Sequence, residues 1–410
     1  MSSTANGQGS NSAVVRQFNE RVILTALRRL GEASKADLAR QVNLTQNTTG
    51  QIVRDLEHQH LVTMTGKRTG LRGQPATLLR LDPEGAYSIG IKLGRRTTSA
   101  LLVDFGGRVL KSRRHERAFP LPDAALSIVR DDVVAMRRAI PEAGRARLAG
   151  IGLAMPHNLG SWRRELDIPA ETCAAWNSFD LAARLRDTLD VPVFVENDGT
   201  ATAVAELFQG HGRELDDFAV VYLGTAIGGG VVLGGRYRRG ATGNAGDIGL
   251  MPVPPSRLAS APRPHPKSHP KSHHASDILL TRASVSSLIR HLRANNVAIA
   301  ANRDLEHAVA GHAGLVSEWL EDCADALVGP LLAIASLLDL QAIVIDGNLP
   351  RSLIEWLVAR LRTLLTESVP EARGPPSLLV GSIGSEAAAI GAAILPLHSN
   401  FGPDHQMLFG

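Results

Sequence analysis

The chain has 410 residues, 44% of them hydrophobic and 20% charged, and a formal net charge of +4. That length calls for two or three domains rather than one core, and the composition is that of a globular protein. No run of about eighteen uncharged apolar residues occurs, so no membrane-spanning helix is expected, and the polar stretch Met1–Ser12 lacks the apolar core of a signal peptide. Two cysteines, Cys173 and Cys323, make neither a disulfide framework nor a CxxC zinc site. A cytoplasmic protein without membrane contact is the expectation. The first 82 residues hold eleven Lys/Arg against six Asp/Glu, a surplus larger than that of the whole chain. Positive charge concentrated in one small domain is the footprint expected of a domain that meets phosphates.

Residues 1–12 read as a disordered tail and 13–82 as a winged helix-turn-helix DNA-binding domain. Val14–Leu30 repeats apolar residues at helical period and stops at Gly31; Ser34 is a natural N-cap for a helix over Lys35–Gln41. After the turn at Asn43-Leu44, Thr45 caps a longer helix running to near His60, with Ile52, Val53 and Leu56 inward. Gln46, Asn47, Gly50, Gln51 and Arg54 are left outside, a polar front suited to a major groove. Thr49 is more polar than its inward position usually holds. Strands over Leu61–Met64 and Thr77–Leu81 flank a basic hairpin carrying Lys67, Arg68 and Arg72, which reads as the wing. The expected partner is double-stranded operator DNA; the other reading of these elements is a protein-interaction module with a solvated polar face.

From 86 to 400 strands alternate with helices, the pattern of an α/β architecture. A hairpin over Ala86–Leu93 and Ser99–Asp104 is followed by a strand at Val109–Arg113, a helix at Ala124–Ile140 and a strand at Leu148–Ala154. That strand feeds a loop bearing His157 and Asn158. A helix over Phe179–Leu189 and a strand over Val191–Glu196 lead to Asn197-Asp198 and a helix over Thr200–Phe208. Next come two apolar strands around Leu223–Gly230, where Gly224, Thr225, Gly228 and Gly229 form a candidate phosphate loop, because glycines let backbone N–H groups approach an anion. Residues 254–276 read as a flexible His/Pro/Lys insertion. Its histidines, His265 to His274, open a metal reading, but no Cys, Asp or Glu stands with them to complete a site. Helix over Leu315–Leu338, a strand at Ala342–Ile345 and a small-residue helix over Gly384–Ala393 close the pattern.

Glu196-Asn197-Asp198, Leu223–Gly230, Gly243–Gly249 and Gly384–Ala393, together with the winged helix, make the chain similar to the ROK family of sugar-responsive repressors, sugar kinases and uncharacterised frames. The resemblance implies an N-terminal winged helix-turn-helix followed by a two-lobed, actin-like (ribonuclease H-like) domain with its ligand between the lobes. In family kinases the aspartate corresponding to Asp198 is the general base on the sugar hydroxyl. Three departures weigh against catalysis. The family's Asp-x-Gly-Gly-Thr loop is Lys92-Leu93-Gly94-Arg95-Arg96 here, so the four glycine-run residues become a vestigial phosphate loop. Its Glu-x-Gly-His segment is Asp247-Ile248-Gly249-Leu250, and its cysteine-rich zinc run is absent. The expectation is therefore a repressor-type regulator without catalytic residue, metal or cofactor, a homodimer or homotetramer. A sugar-like effector would be held by Asn197, Asp198, Asp247, His157 and Asn158. The alternatives are an ATP-dependent sugar kinase of glucokinase type, which would need ATP and Mg²⁺ and use Asp198, and a DNA-bound factor without effector.

Overall fold

The computed structural model describes residues 12–68, 76–116, 120–157, 159–160, 163, 168–262, 277–299, 302–369 and 374–404. The tail reading of 1–11, the histidine repeat, Arg72 and Asn158 lie outside the described residues, as does the side chain of Arg68.

Helix α1 (Ser12–Leu30) turns Ile23, Leu24, Ala26 and Leu27 inward. It packs on α2 (Lys35–Gln41) and α3 (Gln46–His58). Ser34 caps α2 in a reciprocal box with Asp37, and Thr45 caps α3, so both helix starts lie where the sequence predicts them. Strands β2 (Val62–Arg68) and β3 (Ala76–Leu81) pair antiparallel, longer than expected. A two-residue strand β1 (Ala33–Ser34) joins β3 on its other edge.

The rest of the chain holds two five-stranded sheets built on one plan. The first has the order β6-β5-β4-β7-β8, with β4 (Tyr87–Leu93), β5 (Thr97–Asp104) and β6 (Val109–Glu116) antiparallel and β7 (Leu148–Met155) and β8 (Val193–Asn197) added parallel. Helices α4 (Pro122–Ala139), α5 (Ala170–Asn177) and α6 (Leu181–Thr188) accompany it. Helix α7 (Asp198–Gln209) leaves the end of β8 for the second sheet. There β9 (Phe218–Leu223), β10 (Ile227–Val232) and β11 (Tyr237–Arg238) are antiparallel, while β14 (Ala342–Gly347) and β15 (Leu378–Val380) continue parallel. The hairpin β12 (Pro252–Val253)–β13 (Asp277–Ile278) and helices α8 (Leu279–Arg282), α9 (Val285–Ala294), α10 (Asn302–Gly311), α11 (Ala313–Leu338) and α12 (Arg351–Ser368) complete this half. The last helix, α13 (Ala387–Phe401), is small and buried through its first half, where all but one of Ala387–Ala393 are buried alanine or glycine, and it packs on α7 and on the first sheet. The architecture is mixed α/β.

Two expectations need refinement. Residues 254–262 do not stand free of the fold: Ser256 Oγ donates to Asp322 at 2.9 Å, and Arg282 donates to the Pro254 carbonyl at 2.8 Å. Arg282, 2% exposed, is itself ion-paired with Asp322 and Asp325, so this corner is organised by a buried charge network. Nor is the glycine run a loop throughout. Ile227 pairs with Leu223, leaving only Gly224–Ala226 to turn, and Gly228 and Gly229 are strand residues. Close packing demands glycine at two of these positions: a Cβ on Gly229 would stand 2.3 Å from the Val220 carbonyl oxygen of β9, and one on Gly230 would stand 2.6 Å from Ala203 Cβ of α7, which lies directly on β10.

The hydrophobic core of the N-terminal unit does not close on itself. Ile23, Leu27, Ile52, Val53 and Leu79 form one cluster with Val103 of the first sheet, Phe105 of the turn after β5, and Ala393 and Leu397 of α13. Polar contacts reinforce it. Arg21 donates to the Gly402 carbonyl at 3.1 Å, Arg29 donates to the Gly212 carbonyl and pairs with Asp216, and the Arg28 guanidinium lies 3.8 Å over the Phe208 ring of α7.

Candidate functional site

The cleft between the two sheets contains a cavity of about 310 Å³. Its walls include Asn197, Asp198, Asp247 and His157 of the predicted effector set, and Gly224, Thr225, Gly228 and Gly229 of the predicted loop. The fold thus brings together residues from four separate stretches of sequence.

Asn197 has φ −62° and ψ 141°, and its side-chain oxygen accepts from the backbone N–H groups of Gly199 at 2.8 Å and Thr200 at 3.3 Å. It is the N-cap of α7, which moves the helix start two residues ahead of the predicted one. The amide end of Asn197 donates to Asn244 at 3.0 Å, and Asn244 donates in turn to Asp247 at 2.9 Å. Both ends of Asn197 therefore have protein partners. It shapes the wall, while Asp198 and Asp247 line the cavity with carboxylates. Asp198 stands in the first turn of α7, where the helix dipole favours an anion.

Tyr222 of the wall, and Asp346 and Glu196 behind it, were not in the predicted site set. Tyr222 donates to Asn348 at 2.7 Å, joining β9 to the end of β14, and burial raises its phenol well above 10. Asp346, 3% exposed, accepts from Gly347 and Gly384, each at 2.8 Å, and ties β14 to the turn before α13; burial raises its carboxyl from the usual value. Glu196, buried at the end of β8, is paired with Arg239 at 2.7 Å; burial raises its pKa and Arg239 opposes the rise. Asn348 is separated from Asn197 by a long stretch of sequence, and only the pairing of β14 with β9 brings it to Tyr222; Asn244 lies in the Gly243–Gly249 segment that the resemblance marks.

Lys92 and Arg95 stand where the resemblance places a first phosphate loop. The β4–β5 turn is closed by Gly94 N–H donating to the Thr97 carbonyl at 2.9 Å, and both cationic side chains line the cavity beside Asp198. Arg95 is only 8% exposed. Where the resemblance implies close backbone approach to a triphosphate, this turn carries the side chain of Arg95, so these residues do not supply the ATP–Mg²⁺ cradle that the resemblance implies. Zinc does not fit either. Leu250 lines the cavity with hydrocarbon, and among the described residues no group of three His, Cys, Asp or Glu could hold a metal ion.

At the N-terminal unit, Gln46, Asn47, Gln51 and Arg54 are exposed along α3, Gly50 is half-buried, and Lys67 is exposed on β2. Thr49 is fully buried, and its hydroxyl has no hydrogen-bond partner. Among the described residues no helix is long and apolar enough to cross a membrane.

A model described as the ROK family matches residues 88–398. An uncharacterised protein, y4fQ, of Sinorhizobium fredii is 27% identical over 392 residues, covering 94% of this chain and 92% of that protein. The xylose repressor of Bacillus spizizenii is 25% identical over 244 residues, 60% of this chain; the match spans 62% of the repressor's own length. Among solved structures, a ROK family transcriptional regulator homologous to the Escherichia coli MLC protein shares the fold with a TM-score of 0.67 at 21% identity, over 97% of this chain and 99% of that one. A ROK family glucokinase from Streptomyces griseus shares it over 76% of this chain and 99% of its own, with a TM-score of 0.58 at 21% identity.

Proposed function

The chain belongs to the ROK family, and from that premise we propose that it is a sugar-responsive transcriptional regulator, a repressor, rather than an enzyme. Residues 13–82 serve as a winged helix-turn-helix. Gln46, Asn47, Gly50, Gln51 and Arg54 enter the major groove, while Lys67, Arg68 and Arg72 engage backbone or minor groove. The repressor and regulator relatives support this reading. So does α3, whose outward residues from Gln46 to Arg54 include no acid. Two copies of the chain, as a homodimer or within a homotetramer, would present two such helices to two half-sites.

The observation that carries the proposal is the placement of α7. Its first turn, Asp198 and Gly199, lines the cleft, and its last turn places Phe208 under Arg28 of α1. Twelve residues at 1.5 Å each make a rigid strut of about 18 Å between effector and DNA-binding unit. An effector bound at Asp198, Asp247 and His157 acts on operator affinity to the extent that it binds one setting of α7 and α1 better than another. The shared core of α1, α3 and α13 makes this coupling direct, without waiting on closure of the lobes.

The test is operator binding by the full chain, using a duplex recovered by selection from random sequence, with and without a panel of monosaccharides. The proposal expects at least one sugar to shift operator affinity in the wild type. It expects the shift to shrink in Arg28→Ala and Phe208→Leu while sugar binding persists. Sugar binding with no effect on operator affinity in the wild type contradicts it. The kinase reading keeps one point in its favour, the Asp198 carboxylate beside Thr225 in the cleft. Turnover of ATP and a hexose that disappears in Asp198→Asn would replace the regulator reading with that one.

A further inference from the structure

Resting on the sugar-sensing reading above, we infer that the effector is a disaccharide or longer oligosaccharide whose second unit seats in a neighbouring cavity. That cavity, of about 490 Å³, adjoins the first, and Pro156, His157 and Asn197 line both. The wall passes from one to the other along three stretches of chain. Met155 lines the second cavity, and Pro156 and His157 line both. Glu196 lines the second, Asn197 both and Asp198 the first, while Gly243 lines the second and Asn244 the first. Consecutive Cα atoms are about 3.8 Å apart, so a step of one or two residues separates the cavities, a span that one glycosidic link between two rings covers. His157 is exposed, so both cavities open beside it rather than being sealed from each other.

The second cavity joins an aromatic platform to polar groups, the combination that suits a sugar ring. Phe179 is half-buried in its wall, with its ring 5.9 Å from that of Trp176 at an angle of 84°. Trp176 in turn donates its indole N–H to the Pro120 carbonyl at 2.8 Å. The platform is therefore set before a ligand arrives, and it offers hydrocarbon to the C–H face of a pyranose. Arg239 supplies donors. Its guanidinium is oriented by Glu196 at 2.7 Å and by the Val195 carbonyl at 3.3 Å, yet its side chain is 60% exposed. Asn177, Ser178 and Thr242, all exposed, add short donors and acceptors for hydroxyls.

Charge and size agree with this occupant. Glu196 and Arg239 answer each other, and Asp180 accepts from the Ala183 N–H at 2.9 Å as the cap of α6. A neutral, hydroxyl-rich unit meets such a wall without stranding a charge in it. The first cavity, about 310 Å³, lies at the small end of the range for small-molecule sites and takes one monosaccharide. The second is the larger of the two and takes another. Asn197, which both cavities share, is the N-cap of α7, so a ligand spanning them bears on the start of that helix from each. Its second unit thereby adds to the difference in affinity between settings of α7.

The experiment titrates the full chain by calorimetry with matched sets: xylose and xylobiose, glucose with cellobiose and maltose, galactose and lactose. Each monosaccharide is also titrated as its methyl glycoside. The inference expects one disaccharide to bind at least tenfold more tightly than its monosaccharide and the corresponding methyl glycoside. It also expects that ratio to fall toward one in Thr242→Trp, which fills the second cavity, and in Phe179→Ala, which removes its platform. Melting temperatures report whether each variant is folded; Thr242 is exposed in a turn, so its substitution decides alone should Phe179→Ala fail to fold. If a monosaccharide binds as tightly as every disaccharide built on it, the inference falls and sugar sensing stands. If a methyl glycoside gains as much as the disaccharide, or the ratio survives in folded Thr242→Trp, the second unit does not sit in this cavity and the inference falls. If no member binds, the inference and the sugar-sensing reading fall together.

Discussion

Replacing Gly50 by alanine separates stability from DNA recognition on a single residue. Gly50 is the fifth residue of α3, and a Cβ built on it meets no atom within 4 Å. Its φ lies outside the positive range, so alanine fits the existing backbone. In a helix interior glycine costs roughly 0.8–1 kcal/mol relative to alanine, chiefly through the freedom it regains on unfolding. Gly50→Ala should therefore stabilise the N-terminal unit by about 1 kcal/mol, roughly fivefold in its unfolding equilibrium, because no clash offsets the gain. Nothing inside the chain requires glycine here, which points to a close approach from outside. If α3 lies in a major groove at this point, the added methyl overpacks that surface at a cost of about 1–3 kcal/mol, between roughly fivefold and a hundredfold in operator affinity. Hydrogen exchange of α3 amides measures the first effect and fluorescence anisotropy with a selected operator measures the second. Increased protection with undiminished affinity would refute the placement of this face on DNA. Decreased protection would refute the open-space argument itself.

The other predictions concern separate parts of the fold. Gly199→Ala should carry the opposite sign: the propensity gain is outweighed by a Cβ 2.5 Å from the Gly229 oxygen, and a net loss of about 1–2 kcal/mol in urea denaturation is expected, with weakened sugar binding. Thr49→Val removes a buried hydroxyl without a partner and should stabilise by about 1 kcal/mol in the same assay while leaving the exposed face of α3 unaltered. His398 packs against Phe208 near Arg28, and burial, then the charges of Arg28 and Arg236, pull its pKa down to about 4. The unfolded histidine therefore takes up its proton first. Its contribution to stability is complete above about pH 6.5, declines as pH falls from there, and is gone below about 4, a span worth about 3 kcal/mol. Comparing denaturation at pH 7 and pH 5, the wild type should lose about 2 kcal/mol more than His398→Gln; equal losses would exclude the histidine as the cause.

Much of the fold was legible because local rules and the final structure agree. Ser34 with Asp37 and Thr45 mark helix starts by capping chemistry alone, and the alternation of Tyr87–Asp104 marks the first hairpin. The two-residue strand at Ala33–Ser34 was not legible, since it exists only through its pairing with Leu78 and Leu79. The contacts of 254–262 escaped for a similar reason: they depend on Arg282 finding Asp322 forty residues away, and a Pro- and Ser-rich segment carries no sign of that. In the site, Asp198 and the glycine run were visible as sequence, but their roles were not. The run through Gly229 and Gly230 reads as an anion cradle until packing explains the missing side chains, Gly229 against the Val220 carbonyl of β9 and Gly230 against Ala203 of α7. The union of the N-terminal core with α13 is a tertiary fact, resting on Leu397 and Phe105, and no periodicity in α1 could announce it.

The most direct test of the account is the affinity of the full chain for a selected operator and for random duplex between 50 and 200 mM salt. The account predicts clear preference for the operator and a fall in affinity with salt whose slope decreases by about one for each phosphate-contacting cation removed, Arg54→Ala and Arg68→Ala among them. Equal affinity for both duplexes, or a salt slope untouched by these substitutions, would contradict it.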